Sequence, residues 1–147
     1  MAAGILALVP KRPLPEPTPE TREFWDGARR GELRIQRCNA CGRAYFFPRP
    51  FCPFCSSKDV AWFTASGRGK LYSYVINHRP AYGFQDYVPY VIAVVELEEG
   101  PRMMTNIVGV EPTPENLPVD MPVEVSFEKQ DDTITLPLFR PASGGAR

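Results

Sequence analysis

Cys38-Asn39-Ala40-Cys41 and Cys52-Pro53-Phe54-Cys55 form two knuckles separated by ten residues, and together they hold every cysteine of the 147-residue chain. Two residues between paired cysteines let the backbone turn so that both sulfurs address one ion, and four thiolates complete the tetrahedral shell that zinc prefers. Gly42 suits the turn that closes the first pair. Two disulfides are the competing reading, but nothing in the sequence marks export, and a reducing cytosol leaves thiols available for metal. The expectation is one structural zinc, or a similar thiolate-bound ion such as iron, on Cys38, Cys41, Cys52 and Cys55.

Working outward, Leu33 and Ile35 read as a short strand entering the first knuckle and residues 45–47 as a strand leaving it, which makes a zinc ribbon. A helix precedes the ribbon: Thr18 is its expected cap, Pro19 its first position, Glu20 and Glu23 favour its positive end, and Gly31 closes it. Phe24, Trp25 and Ala28 form its apolar stripe, and Phe24 and Trp25 serve either the core or a partner interface. Pro10, Pro13, Pro15, Pro17 and Pro19 stiffen the preceding segment, so residues 1–17 are expected as a Pro-rich tail. Its apolar run, residues 2–9, lacks a basic leader and is too short to cross a bilayer, which predicts no membrane association and a cytoplasmic protein.

After Gly67 and Gly69 the texture changes. Residues 71–76, 90–97, 103–108, 123–127 and 134–139 read as five strands separated by Gly, Pro, Asn and Asp, which suggests a small closed barrel. The fourth alternates, with Val123, Val125 and Phe127 inward and Glu124, Ser126 and Glu128 outward. The second does not: residues 90–95 are continuously apolar, so the N-terminal helix, the ribbon or another chain must cover its outer side. The division expected is helix plus ribbon over 18–68, barrel over 69–141, and a disordered end over 142–147.

Formal charge is zero but unevenly placed. Residues 1–69 carry eleven Lys/Arg against six Asp/Glu, and residues 70–147 carry six against eleven. Four zinc-bound thiolates lower the first half's excess to about +3. Neither half is basic enough to announce a polyanion ligand.

The segments Tyr74-Val-Ile-Asn-His-Arg-Pro80, Pro89-Tyr-Val-Ile-Ala-Val-Val-Glu-Leu-Glu-Glu-Gly100, Thr105-Asn-Ile-Val-Gly109, Met121-Pro-Val-Glu-Val-Ser-Phe127 and Leu138-Phe-Arg-Pro141 resemble the DUF35 family of zinc-ribbon OB-fold proteins, as does Glu23-Phe24-Trp25-Asp26-Gly27. The likeness spans roughly residues 18–141 and is specific in order and spacing. Asp120 stands where many members are expected to carry Gly. The resemblance implies a mainly β protein, with an N-terminal helix and a rubredoxin-like ribbon before a five-stranded OB-fold barrel. It also implies an accessory subunit of a thiolase-fold enzyme, either a thiolase or a retro-aldolase, acting on acyl-CoA. Steroid side-chain cleavage is one setting, in which a MaoC-like hydratase is a further partner and a CoA thioester is the ligand of the complex.

The residues read alone agree that catalysis is a poor fit. With every cysteine committed to metal no thiolate nucleophile remains, and a closed four-thiolate shell offers no position for activated water. His78, the single histidine, has no carboxylate partner nearby in sequence. The loop Arg79-Pro80-Ala81-Tyr82-Gly83-Phe84-Gln85-Asp86-Tyr87 sets three aromatics around a glycine; Tyr82, Phe84 and Tyr87 either contact a ligand or partner, or cap the barrel. Lys70 and Arg79 are the candidate cations for CoA phosphates. A single-stranded nucleic-acid-binding module is the alternative, and the acidic barrel half argues against it.

Overall fold

The computed structural model describes residues 12–143. Helix α1 spans Arg22–Arg29, and the strands are β1 Arg34–Cys38, β2 Ala44–Tyr45, β3 Val60–Thr64, β4 Arg68–Asn77, β5 Tyr90–Leu97, β6 Arg102–Ile107, β7 Pro122–Lys129 and β8 Thr135–Pro141. The first three form an antiparallel sheet in the order β2-β1-β3, and the last five close into a barrel in the order β4-β5-β6-β8-β7. All barrel pairs are antiparallel except β6 with β8, where Ile107 faces Phe139 in parallel, and β7 returns to β4 to remove the free edge. This is the OB arrangement expected from the sequence, with one strand unforeseen. Strand β3 pairs along the whole of β1, from Arg34 opposite Thr64 to Cys38 opposite Val60.

The helix starts three residues later than expected. Thr18 and Thr21 close a tight turn instead, with the Thr21 N–H donating to the Thr18 carbonyl at 3.0 Å and the Thr18 N–H to Thr21 Oγ1 at 2.8 Å. Pro19 occupies the second position of that turn, where its fixed φ is favoured. Gly31 ends the helix at φ 78°, as expected. Two further expectations shift. In β7 only Val123 is fully buried, whereas Val125 and Phe127 are half-buried and so are Glu124 and Ser126. In β5 burial does alternate, with Val91, Ala93, Val95 and Leu97 inside. Asp120 itself adopts φ 67°, the left-handed conformation that glycine would supply, and its N–H donates to the Leu71 carbonyl at 2.8 Å.

One apolar core runs through both parts. Phe24 and Trp25 from the helix, Leu33 and Ile35 from the ribbon and Leu71, Val95, Val123 and Phe139 from the barrel belong to a single buried cluster. Helix α1 packs on β1, β7 and β8, so it clamps ribbon to barrel. Within the barrel, β4 and β5 approach so closely at Gly69 that a Cβ there would lie 2.4 Å from the Glu96 carbonyl oxygen. Residues 1–11, the greater part of the expected tail, lie outside the described residues. The remainder is packed: Leu14 rests on the core, and Arg12 bonds Gln130 and Glu128 at the barrel end. At the other terminus the Ala142 N–H donates to the Pro122 carbonyl at 3.0 Å, and residues 144–147 lie outside the described residues.

Candidate functional site

The two knuckles are near copies of one another. In the first, the Cys38 N–H donates to the Arg43 carbonyl and the Gly42 N–H returns to the Cys38 carbonyl; in the second, Cys52 N–H to Ser57 and Ser56 N–H to Cys52 repeat both bonds. Gly42 and Ser56 occupy the same left-handed turn, at φ 79° and 65°. Backbone amides aim at the buried sulfurs: Cys41 N–H to Cys38 Sγ at 3.4 Å, and Phe54 N–H to Cys52 Sγ at 3.3 Å.

This backbone brings the four Sγ atoms within 4.8 Å of one another, with Cys38 to Cys55 at 3.6 Å and Cys41 to Cys52 at 3.7 Å. A zinc with bonds of about 2.3 Å sets tetrahedral sulfur edges near 3.8 Å, whereas a disulfide needs about 2.05 Å. The donor set therefore fits a tetrahedral thiolate-bound cation. Its electrostatics lean the same way. The Cys41 N–H lowers the Cys38 thiol, and burial of Cys52 is outweighed by the Cys55 and Phe54 amides, which bring it down to about 7. The Ser57 N–H favours a Cys55 thiolate, but the neighbouring sulfurs and burial overcome it and push that thiol up to about 11. Without a cation the cluster cannot ionise completely; a cation removes that conflict.

The aromatic loop sits at one end of the barrel, between β4 and β5. Phe84 lies 5.9 Å from Tyr87 and 5.4 Å from Tyr90 between ring centroids, and the Arg12 guanidinium stands 4.6 Å over Tyr87. These groups wall a cavity of about 250 Å³ that continues to Val91, Ile107 and Val110. Tyr82 alone among the three loop aromatics turns fully outward, at 82% exposure. His78 and Arg79 are exposed at the loop's start, and the Arg79 N–H donates to Asn77 Oδ1.

Lys70 is not part of this group. It lies near the opposite end of β4, roughly 25 Å along a strand rising about 3.3 Å per residue, and its ammonium faces Glu96 at 3.6 Å and Asp120 at 3.9 Å. Phe24 and Trp25 are buried, stacked edge to face at 4.8 Å, and their exposed continuation is Phe47. With Met104, Leu136 and Pro137 they line an apolar cleft of about 360 Å³. Met104 leads onto the outer face of β4-β5-β6, where Val75 pairs with Ile92 and Met104 with Val94; Val75 and Met104 are 59% and 71% exposed. Sequence reasoning had flagged β5 on this face; Val75, Met104 and Phe47 needed the register and the turn geometry. Arg12 was missed because a lone cation in a Pro-rich stretch carries no local signal.

A four-cysteine ribbon joined through one core to a closed five-stranded barrel defines a zinc-ribbon OB-fold protein. Sequence profiles match the two parts in the same order: the ChsH2 rubredoxin-like zinc ribbon domain matches residues 25–61, and the ChsH2 C-terminal OB-fold domain matches residues 62–128, the boundary between them falling inside β3. A chain of the solved Ltp2-ChsH2(DUF35) aldolase is 38% identical, with a TM-score of 0.77, and the match covers 87% of this chain and 98% of that one. A DUF35 domain-containing scaffold protein of Pyrococcus furiosus is 38% identical over 104 residues, 68% of this chain and 76% of its own length. The chain belongs to the DUF35 family. It is also 40% identical over 131 residues to a probable enoyl-CoA hydratase alpha subunit of Thermomonospora curvata; the match takes in 89% of this chain but spans only 40% of that longer protein. No helix among the described residues is long and apolar enough to cross a membrane.

Proposed function

We propose that this chain is an accessory subunit, not catalytic alone, that docks on a thiolase-fold enzyme acting on an acyl-CoA. The single observation that carries the reading is the near end-to-end match to the DUF35 chain of an aldolase. The enzyme subunit is then a thiolase or a retro-aldolase, and in the narrowest form its acyl group is a steroid side chain supplied by a MaoC-like hydratase. The site chemistry supports an accessory role. All four sulfurs are drawn into one cluster whose ligands, Cys38, Cys41, Cys52 and Cys55, would hold one structural zinc, and His78 is exposed with no carboxylate paired to it among the described residues. When bound, the metal supplies cross-linking of the two knuckles; the residues around it supply no open coordination position.

The partner contact is assigned to Tyr82 and the outer β4-β5-β6 face, the apolar surfaces hardest to justify in water. Phe84 and Tyr87 support that contact from behind by holding the loop, and the exposed Arg79 is the cation proposed for a CoA phosphate there. Titration of the co-expressed enzyme subunit tests this. Tyr82→Ala and Val75→Glu should each weaken the complex about tenfold or more with fold and zinc content intact, since a truncated interface anchor costs about 2 kcal/mol. The isolated chain should show no acyl transfer or carbon–carbon cleavage. Turnover by the chain alone that His78→Ala abolishes overturns the accessory reading; unchanged affinity in both variants moves the contact to the Phe24, Trp25 and Phe47 cleft.

A further inference from the structure

The cations on the barrel strands and those around the knuckles differ in their partners. On the barrel strands Arg68, Lys70, Arg102, Lys129 and Arg140 each lie within 4.0 Å of a carboxylate oxygen. Around the metal knuckles Arg37, Arg43 and Lys58 have no such partner among the described residues. Two of them lie over rings instead: the Arg43 guanidinium stands 4.1 Å from the Phe54 centroid, and that of Arg37 stands 4.6 Å from Phe63. The single carboxylate between residues 35 and 64, Asp59, accepts a hydrogen bond from Asn39 at 3.0 Å. Two large aromatics flank the second knuckle in the open, Phe51 at 46% exposure and Phe54 at 53%.

Arg22, Arg49 and Arg79 are also without a carboxylate partner among the described residues, but at the ribbon tip unpaired cations stand beside exposed phenylalanines with a single carboxylate between residues 35 and 64, which marks a surface whose counter-charges lie on another molecule. We propose that the ribbon tip formed by Arg43, Phe51, Phe54 and Lys58, with Arg37 beside it, is a docking surface for a protein that presents an acidic patch around an apolar hollow. An arginine stacked on a ring has lost much of its rotamer freedom and offers its fork to a carboxylate in fixed geometry. The phenylalanines supply the desolvated centre and the cations the steering rim. A nucleic acid fits less well. It needs a track of cations and open ring faces, whereas here one face of Phe54 lies under Arg43. The proposal does not depend on which enzyme the barrel serves.

The test uses the full, zinc-loaded chain, isotope-labelled for amide shift mapping, and three probes: a short peptide of Glu and Leu, its Lys and Leu counterpart, and a single-stranded oligonucleotide. The acidic peptide should shift the amides of residues 41–43 and 54–58, and raised salt should weaken it. Arg43→Glu with Lys58→Glu should cut its affinity about tenfold with zinc content and circular dichroism unchanged; Lys58→Glu alone should give a smaller loss in the same direction. An acidic peptide that leaves the ribbon amides unmoved overturns the proposal. So does equal binding of the Lys peptide, or displacement of the acidic peptide by the oligonucleotide, which would assign the tip to nucleic acid.

Discussion

At the scale of single residues, the sulfurs decide most. Cys38 and Cys52 are buried at 0% exposure, while Cys41 and Cys55 form the outer edge of the cluster. Replacing an inner ligand therefore removes both a metal bond and a buried anchor of its knuckle. Cys52→Ser should lose zinc and open the ribbon, exposing Ile35, Tyr45 and Phe46; Phe51 and Phe54 are already half open and would add little. Metal analysis of protein purified under reducing conditions checks this, together with binding of a hydrophobic dye. Retention of stoichiometric zinc by the variant would remove Cys52 from the ligand set.

At the scale of elements, what was legible in the sequence follows from how local each signal is. Cysteine spacing, the apolar run of β5 and the glycine at the end of α1 are local, and each appears where the sequence placed it. The start of α1 was misread because Thr18 and Thr21 offer equivalent hydroxyls, and the choice between cap and turn rests on packing of residues further on. Strand β3 went unseen because Val60-Ala61-Trp62-Phe63-Thr64 does not alternate; its identity comes from pairing with β1 across the knuckles. Lys70 and Arg79 were both candidate cations for CoA phosphates, yet β4 holds them apart. That strand also carries a charge ladder across the barrel wall: Lys70 and Arg102 both reach Glu96, at 3.6 Å and 3.0 Å. The hydrogen bond from Arg102, assisted by Lys70, holds the Glu96 carboxyl below its usual range. A depressed folded-state pKa adds stability above the unfolded value, about 4.3, and that stability is lost as pH falls through the folded value. Glu96→Gln should thus be slightly less stable than the parent near neutral pH, and the difference should vanish under acid. Urea midpoints at several pH values measure it, and a gap that widens under acid would show the ladder to be unimportant.

At the scale of the whole molecule, the question is whether ribbon and barrel are two modules or one. Charge and composition separate them; the core does not, since Phe24 joins Ile35 of the ribbon to the barrel cluster that holds Leu71 and Phe139. Phe24 is buried, packs at 5.5 Å from Phe46, and sits on the helix that touches β1, β7 and β8. Its removal leaves a cavity where the parts meet, so Phe24→Ala should cost about 3 kcal/mol, a large share of a net stability on the order of 10 kcal/mol. The two tryptophans make the coupling readable. Trp25 lies in α1 and Trp62 in β3, and the chain has no other, so tryptophan fluorescence follows helix and ribbon while far-ultraviolet circular dichroism is dominated by the barrel strands. In the zinc-loaded parent the two probes should report one coincident thermal transition, as a shared core requires. In Phe24→Ala, or after chelation of the metal, the fluorescence transition should move to lower temperature first. The dichroism midpoint should also fall, because β7 and β8 lose the helix that covers them. A barrel transition that stays at the parent temperature after either change would mean that the buried cluster is continuous in space but not in energy, and that the ribbon is an independent module carried on the barrel.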